Sequence, residues 1–117
     1  MKAQEAVNEL KQHVQDIDSS WEDNMSPNMK KAYLAKEIGL TVVILATLQA
    51  YAHLLNDGKK LYEKAESRVM EMHILIRSAI HFNDIAKYDD LKRDSIKIKK
   101  DMIILIEQGI RVEEEAG

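Results

Sequence analysis

Apolar residues near the start of the chain recur at intervals of four, three, four, three and four: Ala3, Val7, Leu10, Val14, Ile17 and Trp21, with mostly charged and amide residues between them. That spacing averages 3.5 residues, the seam of an α-helix packed at a shallow angle along its neighbours. The stretch "EDNMSPN" interrupts the pattern. Ser26 can accept hydrogen bonds from the first free backbone N–H groups of a new helix, and Pro27 suits its first position, where a missing N–H costs nothing. A second helix is therefore predicted over residues 27–55, with its best seam on Leu34, Ile38, Thr41, Leu45, Leu48, Ala52 and Leu55. From Leu40 onward, "LTVVILATLQAYAHLL" is apolar on all sides. A helix of that kind has to be covered by other helices or by lipid, so this one is expected at the centre of the fold.

"NDG" at 56–58 ends the second helix, with Gly58 expected in the left-handed conformation that closes a helix C-terminus. So short a link makes antiparallel neighbours. In a third helix over 59–83, Leu61, Ala65, Leu75, Ile76, Ala79, Ile80 and Phe82 fill an apolar arc around Met72, and His73 falls at its edge. "NDIAKYDD" is a second interruption, with Asp89 or Asp90 as the cap of a fourth helix over 89–114. There Tyr88, Leu91, Ser95, Ile98, Met102, Leu105 and Val112 keep heptad spacing, interrupted by Gly109, while Ile96, Ile103, Ile106 and Ile110 broaden the stripe. Helices at about 2–20, 27–55, 59–83 and 89–114 make the expected fold all-α, an antiparallel up-down-up-down four-helix bundle forming a single domain over 1–117.

Composition supports helix over strand. Only 5% of the 117 residues are aromatic, with four Gly and one Pro, while 45% are apolar and 32% charged. Net charge is −3, so no global basic field holds a polyanion. The absence of Cys removes disulfides, thiol nucleophiles and thiolate metal sites, and the polar first residues carry no export signal pattern. A cytoplasmic location is expected. Gly39–Leu55 runs 17 residues without a formal charge, at the lower limit for a membrane span. Its Thr41, Thr47, Gln49 and His53, the lysines on both flanks and the charged faces of the other helices favour a core helix over a membrane segment. His53 itself is expected near the helix end, where an imidazole can meet the last free carbonyls.

The stretch "RVMEMHILIRSAIH" at 68–81 places His73, Arg77 and His81 along one side of the third helix. The cation between the histidines repels a metal, and no carboxylate stands three residues before either, so neither metal nor cofactor is expected. Arg68 and His73 have a spacing that resembles the Arg-x4-His motif of HEPN-type helical ribonucleases, and that resemblance implies an acid/base role for the pair. On a regular helix the two point roughly 140° apart. The fourth helix opens with the basic residues Lys92, Arg93, Lys97, Lys99 and Lys100, of which Arg93, Lys97 and Lys100 align in a stripe able to hold phosphates, although Asp90, Asp94 and Asp101 lie among them and no aromatic ring is interleaved for base stacking.

No Gly-rich phosphate loop, nucleophile elbow or paired-His motif occurs, and no enzymatic activity is expected. The favoured reading is a protein–protein interaction or assembly module: a homo-oligomer, an adaptor or inhibitor of a larger protein, or a bacteriophage-type accessory protein. Its partner-binding residues would be Trp21, Ile96, Ile103, Ile106 and Ile110, because the second and fourth helices carry more apolar surface than a small bundle needs. Nucleic-acid binding through the basic residues of the fourth helix is the alternative, and a HEPN-like ribonuclease the second.

Overall fold

Four α-helices, Lys2–Ser20 (α1), Pro27–Ala52 (α2), Gly58–His81 (α3) and Tyr88–Ala116 (α4), form an all-α bundle in a computed structural model that describes residues 2–22 and 24–116. The Met29 N–H donates to Ser26 Oγ at 3.2 Å and Pro27 opens α2, as the local chemistry requires. Val7, Leu10, Val14 and Trp21 are buried along the seam of α1.

The link after α2 differs from the expectation. α2 stops at Ala52, three residues early, and the left-handed residue is Asp57, with φ 56°, not Gly58. Gly58 instead begins α3 against the end of α2, where an added Cβ would lie 1.7 Å from the Ala52 carbonyl oxygen. The missing side chain lets the two helices meet at the corner.

The second interruption does break the helix. Asn83 turns the chain at φ 53°, and a single 3-10 turn, Ile85–Lys87, runs straight into Tyr88. Neither Asp89 nor Asp90 precedes α4 as its cap; both lie in its first turn, where carboxylates offset the helix dipole.

The largest difference concerns which helix is central. α4 packs against each of the other three, whereas α1 lies along α4 and barely touches α2 or α3. Lys11 meets Glu107 and Lys92 meets Asp18, so α1 and α4 run antiparallel; Lys30 meets Asp89 and Tyr51 meets Gly109, so α2 and α4 run parallel. In an up-down-up-down bundle the parallel pair spans the diagonal. Here small side chains close that diagonal: a Cβ on Gly109 would stand 2.8 Å from both the Tyr51 Cβ and its carbonyl oxygen. With α2 and α4 drawn together, α1 and α3 are pushed to opposite sides, and the molecule is a slab of 49 × 25 × 16 Å. α2 therefore lies at an edge with one covered stripe: Lys30, Leu34, Glu37, Thr41, Ile44, Leu48 and Ala52. That seam is rotated from the expected one, because Glu37 and Ile44 take the places assigned to Ile38 and Leu45.

Candidate functional site

The α2–α4 contact contains charge. Lys99 Nζ on α4 ion-pairs with Glu37 Oε2 on α2, and both side chains are 0% exposed. The Ser95 hydroxyl donates to the same carboxylate oxygen at 2.7 Å, and the Thr41 hydroxyl donates to the Glu37 carbonyl one turn back along the helix. Burial pushes the Lys99 amine down to about 7. An amine so tuned could act as a base or nucleophile, but the chain seals it from solvent, and the grooves that line α4 beside α1 and α3 include neither Lys99 nor Glu37. The pair instead sets the register between α2 and α4. Sequence reading missed it by counting Lys99 among the basic residues of a nucleic-acid surface; Glu37, the single acidic residue in α2, was the available signal.

A second polar cluster forms the corner where the α1–α2 loop meets α4. Trp21 is buried there, its Nε1–H donating to Asp89 Oδ1 at 2.7 Å, its ring edge-on to Tyr33 at 6.2 Å between centroids. Lys30 Nζ reaches the same Asp89 oxygen at 3.0 Å and lies 5.6 Å from the indole centroid, with Lys92 at 6.0 Å. The Lys30 and Trp21 hydrogen bonds hold the Asp89 carboxyl below its usual range. Trp21 is thus a plug inside this chain, with little of its ring exposed.

The same holds for the isoleucines expected to face a partner. Ile96, Ile103, Ile106 and Ile110 are all buried, because α4, as the central helix, needs its broad stripe to serve three neighbours at once. The basic stripe is divided as well. Lys99 is inside, Lys92 is pinned to Asp18 at 2.8 Å and Arg93 pairs with Asp90, leaving Lys97 and Lys100 exposed beside Asp94 and Asp101. Arg68 reaches Asp101 at 3.3 Å across α3 and α4, whereas His73 is buried with Nε2 unpartnered, and burial and then Arg77 push its pKa down. Arg68 and His73 do not converge. His73 was expected at the edge of the apolar arc and lies within it, because the arc is centred nearer Val69 and Ile76 than Leu75 and Phe82, which are exposed. Among the described residues no group of three or more His, Asp or Glu is placed to hold a metal ion.

What the helices leave open is apolar. α2 is the one described helix long and apolar enough to cross a membrane, and only 28% of its most apolar 18-residue window is buried. Of its polar groups Lys30, Glu37 and Thr41 face inward and Lys36 and Gln49 outward, while Val42 and Val43 are each 51% exposed on the outer side. On α3, Met70 and Ile74 are 57% and 65% exposed. Antiparallel contacts between Lys31 and Asn83 at one end and Ala52 and Gly58 at the other bring Met70 level with Val42. This outer side of α2, with the flank of α3, is the candidate site, and its chemistry is that of apolar contact. No protein-family model, curated protein or solved structure matches this chain.

Proposed function

We propose that this chain is a non-catalytic interaction module of the cytoplasm, binding a protein through the outer side of α2. The observation that carries the reading is the polarity of that helix: its one carboxylate and a hydroxyl are turned into the bundle while Val42 and Val43 face out. A helix that served only to close this bundle would carry charge all along its outer side, as α1, α3 and α4 do, whereas Lys36 is the one charged residue among the exposed positions of α2 from 32 to 50. Contiguous apolar surface left outside a folded domain is what binding surfaces require. The ribonuclease reading has less support, since His73 is buried and Arg68 pairs with Asp101 instead of meeting it.

Affinity capture from the native host tests the reading, with the wild-type chain and a Val43→Lys variant as baits. A protein, or a further copy of the chain itself, retained by the wild type and lost from the variant is the expected result. Identical captures from both baits would place any binding elsewhere and end the proposal.

A further inference from the structure

The outer side of α2 is close to a palindrome. Counting outward from the point between Val42 and Val43, the exposed residues pair as Val42 with Val43, Gly39 with Ala46, Lys36 with Gln49, Ala35 with Ala50 and, one residue past the end of the helix, Ala32 with His53. All ten are exposed, and they follow the alternating three- and four-residue steps of a packing seam opposite the buried stripe. In each of the first four pairs the members match in size: two valines, two of the smallest residues, two long unbranched chains, two alanines. From Ala32 to Ala50 the seam is about 27 Å long at 1.5 Å per residue.

We infer that this surface binds a second copy of the same chain, α2 lying antiparallel on its counterpart across a two-fold axis between Val42 and Val43. The inference rests on the proposed function and names its partner. A two-fold interface places residue i against residue j and j against i, so it demands this mirrored order, whereas an unrelated partner imposes no symmetry on the surface it contacts. Charge agrees. Across the axis the Lys36 ammonium faces the Gln49 amide, whose carbonyl accepts from it, and no like charges are opposed in any of the five pairs. The small residues at 35, 39, 46 and 50 allow close helix approach, and the valines at the axis give the apolar centre. A single helix crossing lies at the low end of stable interface areas, below about 1,200 Å² in total, so a dissociation constant of micromolar order is expected.

Light scattering between about 1 and 100 μM should show the mass rising toward twice the 13.4 kDa of one chain. Val43→Lys should weaken association at least tenfold with unchanged helical circular dichroism, while Phe82→Lys, at an exposed apolar residue on another part of the surface, should leave it intact. Because the chain has no cysteine, register can be read directly. A Gly39→Cys/Ala46→Cys double variant should form an intermolecular disulfide on mild oxidation, and Ala46→Cys alone should not, because its counterpart stands about 10 Å away along the axis. A monomer throughout the concentration range overturns the inference. So does efficient self-linking by Ala46→Cys, which means parallel pairing, or association that Phe82→Lys abolishes and Val43→Lys does not. A monomer that binds lipid vesicles in a Val43-dependent way assigns the surface to a membrane and overturns both this inference and the proposed function. A monomer whose capture of a different protein needs Val43 overturns this inference alone.

Discussion

Replacing Lys99 by Met leaves the Glu37 carboxylate buried against α4 with only Ser95 donating to it. Below about pH 7, where the Lys99 amine holds its proton, breaking this fully buried ion pair from one side costs about 3–5 kcal/mol, since the remaining charge keeps its desolvation penalty and loses its counter-charge. A domain of this size is stable by about 5–15 kcal/mol in total. With an unfolding entropy near 2.1 cal/mol/K per residue, 117 residues give about 0.25 kcal/mol/K, so the melting temperature should fall by about 12–20 °C. The double variant Glu37→Met/Lys99→Met removes both charges at similar volume and should come back to within about 2 kcal/mol of the wild type, or exceed it. The pH dependence separates a charge effect from a packing effect. Burial lowers the Lys99 pKa from 10.5 to about 7, so between those values the unfolded chain holds a proton that the folded chain lacks, and stability rises with pH across that window. Below about 7 both states are protonated and this contribution is flat at its minimum. Relative to the double variant, the wild type should gain at most about 1.4 kcal/mol per pH unit above 7. In Lys99→Met the lone buried carboxyl has its pKa raised, so that variant should lose stability as pH climbs past about 4.3. Urea titrations followed by circular dichroism from pH 4 to 10 provide the measurement. Equal midpoints for wild type and Lys99→Met would refute the buried pair, as would a double variant no better than the single one.

Gly109→Ala should lower stability by about 1–2 kcal/mol despite the better helix propensity of Ala, because its Cβ meets Tyr51 at 2.8 Å; Gly39→Ala, with nothing within 4 Å, should raise stability by about 0.5–1 kcal/mol, both read by thermal melts at sub-micromolar protein. Asp89→Ala strips the Trp21 indole and Lys30 of their shared acceptor and should cost about 1–3 kcal/mol with a red-shifted tryptophan emission. Since the Asp89 carboxyl is held below its ordinary 3.8, its contribution is intact above that pH and is lost as pH falls through the folded value, a loss absent from Asp89→Ala in acid titrations. His73 titrates below its ordinary 6.5, so wild-type stability should fall as pH drops below 6.5, and His73→Leu should flatten that slope in the same titrations. On a polyanion column near physiological salt the protein should elute unretarded, because only Lys97 and Lys100 of the α4 stripe are both exposed and free of a paired carboxylate; retention abolished by Arg93→Ala/Lys97→Ala/Lys100→Ala would restore the nucleic-acid reading.

Local chemistry wrote the helices into the chain. Ser26 and Pro27 start α2, the 3.5-residue spacing of Val7, Leu10, Val14 and Trp21 specifies the covered stripe of α1, and polar interruptions separate α2 from α3 and α3 from α4. Each depends on a few neighbouring residues, and the four-helix bundle class follows from their sum. Which stripe each helix buries, and which helix becomes the centre, was not local. "LTVVILATLQAYAHLL" reads the same whether other helices surround it or solvent meets it, because an apolar circumference carries no direction. Direction came from contacts between distant residues: Gly109 admitting Tyr51, and Glu37 turning inward because Lys99 stands across from it. Those contacts rotated α2, buried Lys99 and the α4 isoleucines, and left Val42 and Val43 outside. The candidate site was therefore visible in the sequence only as a surplus of apolar residues. Its place on the molecule was decided by how tightly two helices, separated by the whole of α3, could approach.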